Sequence, residues 1–118
     1  MARILVVDDD NSLRILYTKE LADEGYEVES VSSGREAVAS ITERRPDVVV
    51  LDIKMEGMDG LSVLDEIMKR DKTIPVVLNT AYSSFKSDFT TWSADAYVVK
   101  SSDLSELKET IRQILQAA

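Results

Sequence analysis

Four apolar stretches punctuate the chain, and each stops abruptly on strongly polar side chains. Ile4-Leu5-Val6-Val7 runs into Asp8-Asp9-Asp10, and Val48-Val49-Val50-Leu51 into Asp52. Val76-Val77-Leu78 runs into Asn79-Thr80, and Ala96-Tyr97-Val98-Val99 into Lys100. Short unbroken runs rich in valine and isoleucine are the pattern of strands buried on both faces of a parallel sheet. Between them the apolar positions take helical spacing. Leu13, Leu16, Tyr17 and Leu21 share one face, with Gly25 as the stop. Ala37, Val38 and Ile41 follow a Ser33/Glu36 capping box and end by Pro46. Leu61, Leu64, Ile67 and Met68 follow a loop bracketed by Gly57 and Gly60, and Pro75 opens the next strand. Leu104, Leu107, Ile111, Ile114 and Leu115 form a long seam behind Ser102 and Asp103, either of which can cap it. A short strand is expected around Tyr26–Val31. Over Ser83–Trp92, Phe85, Phe89 and Trp92 sit at helical spacing, but serine and threonine lower the propensity. That stretch reads equally as a marginal, movable helix or as a poorly formed surface segment.

Five strand–helix units in alternation predict an α/β fold: a three-layer, doubly wound (βα)5 sandwich with parallel strands and helices on both faces. A chain of 118 residues is expected to form one domain over 1–118, at about half the length of a typical α/β barrel. In open α/β sheets ligands bind beyond the carboxyl ends of the strands. Every polar group that closes a buried run therefore lands on one edge, and that edge is the candidate site.

Composition narrows the chemistry. Hydrophobic residues make up 44% and charged residues 31%, as in ordinary globular proteins, and the formal net charge is −8. So acidic a chain repels nucleic acid and anionic membrane surfaces. No run is long enough for a signal-peptide core or a membrane span, and a cytoplasmic location is expected. There is no cysteine and no histidine, which removes thiolates, the usual general base and the commonest transition-metal ligand. Chemistry is left to carboxylates, hydroxyls, lysine and main chain.

If the first and third strands are neighbours, Asp8, Asp9 and Asp52 converge. Two carboxylates about 4 Å apart repel by roughly 4 kcal/mol at an effective dielectric near 20. Three such pairs reach on the order of 10 kcal/mol, comparable with the stability of a whole domain, before protonation and solvent relieve them. Hard oxygen donors of this kind select Mg²⁺, or Mn²⁺ or Ca²⁺, over zinc. Alone, Asp8-Asp9-Asp10 reads first as a helix N-cap run; with Asp52 and Lys100 at equivalent strand ends that reading recedes for Asp8 and Asp9, and Asp10 is best read as a cap or rim charge. Lys100 alone is equally a solvated strand end, and Thr80 a satisfied hydroxyl. Together these groups suit an oxyanion-rich transition state such as phosphoryl transfer, with a carboxylate as the nucleophile.

ILVVDDD at 4–10, VVVLDIKMEGMDG at 48–60, VVLNTAY at 76–82 and ADAYVVK at 94–100 together resemble the bacterial response-regulator receiver domain (CheY-like), from Arg3 to the last helix. The resemblance implies a flavodoxin-like sheet of five parallel strands in the order 2-1-3-4-5. It implies that Asp52 is the phosphoacceptor of a two-component system or phosphorelay. Asp9 would hold Mg²⁺ directly and Asp8 through water, with Asp52 and the main-chain carbonyl of Lys54 completing the ligands. Lys100 would pair with the phosphoryl oxygens, Thr80 would be the switch hydroxyl, and the Ala81 N–H a further donor. Tyr97 resembles the aromatic whose rotation reports phosphorylation on the face of the fourth helix, fifth strand and fifth helix, although a half-buried strand tyrosine is the plainer alternative. Lys54 and Tyr82 occupy positions that tune dephosphorylation. The implied partners are a sensor histidine kinase or a histidine phosphotransfer protein, and an output protein the sequence does not name. The form implied is a single domain, a monomer or weak homodimer through that same face, acting as a phosphoacceptor and not as an enzyme on a separate substrate.

Departures from the family pattern are local. Glu56 stands where proline usually follows Met55, and Ser101 where proline usually follows the lysine, so the cis peptide common there is not expected. Ser93 replaces a frequent glycine, and Asn79 is polar within an otherwise apolar run. Two other functions compete. One is an interaction module that keeps the fold without phosphorylation, which the substitutions at Glu56 and Ser101 keep open. The other is a metal-dependent phosphatase or nucleotide-binding flavodoxin-like protein, disfavoured because the loop from Asp8 to Ser12 is anionic and has no glycine to cradle phosphate.

Overall fold

The computed structural model describes residues 1–55, 58–81 and 94–117, with the main chain alone for Lys54, Met55 and Met58. The four apolar runs become β1 (Arg3–Val7), β3 (Val48–Leu51), β6 (Val76–Thr80) and β7 (Ala96–Val99). With β2 (Glu27–Val31) they make one parallel sheet in the order β2-β1-β3-β6-β7, which is the expected 2-1-3-4-5 arrangement. The helices are α1 (Asn11–Asp23), α2 (Gly34–Glu43), α3 (Gly60–Arg70) and α4 (Ser105–Ala117). Between β3 and α3 lies a two-residue antiparallel pair, β4 (Lys54–Met55) and β5 (Met58–Asp59), where the sequence suggested only a loop. The helix expected over Ser83–Trp92 and the residues Glu56, Tyr82 and Ser93 lie outside the described residues.

Alternation along the strands feeds two cores. Leu5, Val7, Val49, Leu51, Val76 and Leu78 pack against Ala37 and Ile41 of α2 and Val63, Leu64 and Ile67 of α3. Ile4, Val6, Val48, Val50, Val77 and Val98 face Tyr17 and Leu21 of α1 and Leu107 and Ile111 of α4. Each valine, leucine and isoleucine among them, removed from water, contributes about 1.5–3 kcal/mol, which explains why the runs tolerate no polar residue until they end.

The helix boundaries follow cap chemistry. Ser33 Oγ accepts the Glu36 N–H at 3.2 Å, as the capping box requires. Gly25 adopts φ 95, the left-handed turn that frees the chain from α1. The last helix starts at Ser105, two residues beyond the expected caps, because Asp103 Oδ1 takes the Ser105 N–H at 2.9 Å in a turn of its own. Leu16 departs from its expected inward face. It is 39% exposed, because the buried stripe of α1 runs through Tyr17 and Leu21, with Leu13 partly buried, and Leu16 falls to one side of it.

At the edge opposite the candidate site, Arg3 is buried and multiply held. Its N–H donates to Asp47 Oδ2 at 2.7 Å, and its guanidinium donates to Glu29 Oε1 at 2.7 Å and to Ser40 Oγ at 3.3 Å. Glu27 Oε2 lies 3.5 Å away, and Glu29 also accepts from the Ser40 hydroxyl. The amino end of β1 is thereby tied to β2 and α2.

Candidate functional site: an acidic edge bridged by one lysine

The ladders continue one residue past the last apolar pair. Asp8 N–H donates to the Val31 carbonyl at 3.2 Å, Asp52 N–H to Val7 at 3.1 Å, and Lys100 N–H to Thr80 at 2.6 Å. The main chain therefore fixes where each polar side chain starts. Carboxylate oxygens of Asp8, Asp9 and Asp52 come within 4.8 Å of one another, so the predicted convergence occurs. Asp8 and Asp52 are buried, at 2% and 6% exposure, while Asp9 is exposed.

Lys100 Nζ lies 2.9 Å from Asp8 Oδ2 and 3.0 Å from Asp52 Oδ2. Asp8 is held from its other oxygen as well, because Oδ1 accepts the Asp10 N–H at 2.9 Å. Burial pulls the Lys100 ammonium down, but its hydrogen bonds to Asp8 and Asp52 outweigh that and raise its pKa above the ordinary lysine range. Three carboxylates against one ammonium leave a formal excess of two negative charges. A hard divalent cation balances that excess, and an all-oxygen donor set in a chain without histidine or cysteine suits Mg²⁺ chemistry.

The remaining predicted residues are distributed around this center. Asp10 is the N-cap of α1, its Oδ1 accepting the Leu13 N–H at 3.1 Å. Thr80 is fully buried at the end of β6, and Ala81 follows it into solvent. Tyr97 is 6% exposed, packed in the α2/α3 core and paired in register with Leu78. The main chain of Lys54 enters β4 two residues after Asp52 and pairs with Asp59. Tyr82 lies outside the described residues. Gly60 lies close against the site's backbone: a Cβ there would stand 2.1 Å from the Asp52 carbonyl oxygen and 2.5 Å from Ile53 Cα. Only hydrogen fits, and the Gly60 N–H uses the space to donate to the Ile53 carbonyl at 2.6 Å.

Three residues at the site escaped the sequence reading. Arg14 Nη1 donates to the Asp8 carbonyl at 2.7 Å and Nη2 to Asn11 Oδ1 at 3.1 Å, pinning the loop that carries the acids. Tyr17 of α1 and Asn79 of β6 are both buried. Asn79 gave a signal, an amide within a buried run.

Residues 4–112 match the sequence profile of the response regulator receiver domain. The chain belongs to that family. The receiver is 46% identical to response regulator TrrA of Thermotoga maritima, solved in complex with Mg²⁺–BeF, with a TM-score of 0.90 over 97% of this chain and 99% of that one. TrrA in complex with the histidine kinase ThkA superposes at a TM-score of 0.89, covering 98% and 99% of the two receiver chains at 46% identity. Sporulation initiation phosphotransferase F of Bacillus subtilis is 32% identical over 115 residues, 96% of this receiver and 93% of that protein. Other relatives are longer: the receiver aligns with regulatory protein AtoC of Escherichia coli at 35% identity over 97% of its own length, but spans 25% of AtoC.

Proposed function

We propose that Asp52 accepts a phosphoryl group from a histidine kinase or a histidine phosphotransfer protein, and that the acyl phosphate so formed switches a protein-binding surface. The observation that carries this reading is the single ammonium of Lys100, 3.0 Å from Asp52 Oδ2, set beside three converging carboxylates. A carboxylate oxygen of Asp52 attacks phosphorus, the P–O bond forms as the P–N bond of the phosphohistidine breaks, and the departing imidazole takes up a proton. Lys100 is already placed to follow the phosphoryl oxygens, so its charge needs little reorganisation during transfer. Asp8, Asp9, Asp52 and the Lys54 carbonyl would hold Mg²⁺, which when bound supplies charge neutralisation for the incoming phosphoryl group. The Thr80 hydroxyl and the Ala81 N–H serve as further donors to it. Tyr97, buried one strand away, adjusts with Thr80 and biases the surface that β7 and α4 contribute to.

The receiver acts as a phosphoacceptor that assists its own modification, within a domain spanning 1–118, and not as an enzyme with turnover on a separate substrate. Its −8 charge argues against a nucleic-acid partner, and no described helix is long and apolar enough to cross a membrane. The exposed Ile15 and Leu16 on α1, at 62% and 39%, offer a protein donor an apolar landing on the helix that Asp10 caps. That TrrA forms a complex with a histidine kinase supports a partner of the same class here. The test is incubation with acetyl phosphate with and without Mg²⁺, read by intact mass. A Mg²⁺-dependent, base-labile adduct that disappears in Asp52→Ala is expected. No adduct, or one that persists in Asp52→Ala, returns the receiver to the phosphorylation-independent interaction module.

A further inference from the structure

The three converging acids are not held alike. Asp8 and Asp52 are buried where their strands end, but Asp9 lies exposed in the turn between β1 and α1. Its carboxylate still comes within 4.8 Å of the other two. An exposed turn is where a side chain ordinarily loses its direction, so the aim of Asp9 has to come from its main chain.

The peptide groups on either side of Asp9 are both anchored. The one before it carries the Asp8 carbonyl, which accepts Arg14 Nη1 at 2.7 Å. The one after it carries the Asp10 N–H, which donates to Asp8 Oδ1 at 2.9 Å. Peptide groups are planar, so φ and ψ of Asp9 are the only soft main-chain torsions between those two planes. Fixing both planes fixes the Cα–Cβ direction and leaves the carboxylate its own rotamers. Arg14 is itself held at the start of α1. Its N–H donates to the Asp10 carbonyl at 3.0 Å, and its Nη2 to Asn11 Oδ1 at 3.1 Å. The guanidinium fork thus spans the turn, from the residue before Asp9 to the first residue of α1.

We propose that Arg14 is a positioning residue for Asp9: its fork sets the peptide plane from which Asp9 departs and so presents that carboxylate to Mg²⁺ beside Asp8 and Asp52. The inference rests on the Mg²⁺ site of the proposed function. A charged donor on a carbonyl makes a short, strong hydrogen bond, and the planar fork adds direction. A lysine carries the same charge as one compact ammonium on a flexible stem and lacks that rigid fork. Groups that orient metal ligands without touching the metal commonly change affinity about tenfold or more when removed. Charge alone predicts the opposite sign, because a cation near three carboxylates opposes Mg²⁺ and its loss by itself tightens binding.

Arg14→Met, Arg14→Lys and Asn11→Ala are compared with wild type for the Mg²⁺ dissociation constant by calorimetry. In metal-free protein, NMR follows hydrogen exchange of the Asp10 amide and of the Val6 amide, buried in β1. Arg14→Met is expected to weaken Mg²⁺ binding about tenfold and to speed exchange at Asp10 while Val6 keeps its protection. Arg14→Lys, without the fork, and Asn11→Ala, without one anchor, are expected to weaken binding in the same direction by less. Unchanged or tighter Mg²⁺ binding in Arg14→Met overturns the proposal, and so does wild-type affinity in Arg14→Lys. Exchange that quickens equally at Asp10 and Val6 also overturns it, since Arg14 is then a general stabiliser. Neither measurement needs a phosphoryl adduct, so the result stands apart from Asp52 as acceptor. A wild-type protein that binds no Mg²⁺ overturns the metal reading itself, and this inference with it.

Discussion

Lys100, just past the end of the edge strand β7, places its Nζ 3.0 Å from Oδ2 of Asp52, across the width of β6. One ammonium thereby serves acids on two different strands, because Asp8 Oδ2 is 2.9 Å from the same nitrogen. The bridge is a counterion to the two acids, and in the proposed reaction it would be a ready partner for phosphoryl oxygens.

Lys100→Met should separate these two duties. The rate of adduct formation is expected to fall on the order of a hundredfold, the usual loss when a donor to developing oxyanion charge is removed. Affinity for Mg²⁺ is expected to rise, since the acids lose the cation that competes for them. Intact mass against time and a Mg²⁺ titration read the two effects independently.

Mg²⁺ should stabilise the folded receiver. Binding only to the native state contributes about 2.7 kcal/mol at a hundred times the dissociation constant, a shift on the order of 10 °C for a domain of this size. In Asp9→Asn the shift should shrink sharply, because the exposed ligand is lost while the buried Asp8–Lys100–Asp52 bridge stays. Thermal melts across a Mg²⁺ series check it.

Gly60→Ala tests the backbone approach under the site. A methyl group 2.1 Å from the Asp52 carbonyl oxygen must displace main chain. Overpacking of this kind typically costs about 1–3 kcal/mol, and a rigid neighbor pushes it to the upper end. Urea unfolding should show the loss, together with weaker Mg²⁺ binding.

The phosphoryl group is expected to be long-lived. On the resemblance to the family, Lys54 and Tyr82 would bring charge and bulk to positions that tune dephosphorylation, which would hinder an attacking water. Tyr82→Ala should shorten the lifetime of the adduct, followed by its decay after removal of acetyl phosphate; decay in wild type as fast as in the variant contradicts the idea.

Asp71 carries an acid-sensitive turn. Hydrogen bonds from the Thr73 hydroxyl and N–H and from Arg45 hold its pKa at about 2, against an ordinary 3.8. A depressed carboxylate stabilises the fold above its unfolded pKa, and that contribution disappears as pH falls from 3.8 through about 2. The group is only partly buried, so the effect is local. The Thr73 amide should lose exchange protection in that window, and Asp71→Asn should lose it at all pH values.

Much of this architecture was legible in the sequence because buried parallel strands leave no room for polar residues, so Val7, Leu51 and Val99 announced where the sheet stops. The convergence of Asp8 with Asp52 followed from strand adjacency alone. Other features were hidden. Leu16 looked like a core residue, since periodicity cannot tell the center of a helical stripe from its border. The β4–β5 pair is too short to leave a pattern. Arg14 reached the site through a main-chain carbonyl, a contact without a sequence signature. Tyr17 and Asn79 are both buried, Tyr17 passing in the sequence for an ordinary apolar position and Asn79 for an oddity.

The cluster around Arg3 gives β1 the mechanics of a cantilever. Its amino end is clamped to Asp47, Glu29 and Ser40, while its far end carries the mutually repelling load of Asp8 and Asp9. A strand clamped in this way cannot slide to relieve that load, so any change of charge at the tip is discharged into the loops beyond it and into the lysine that spans them.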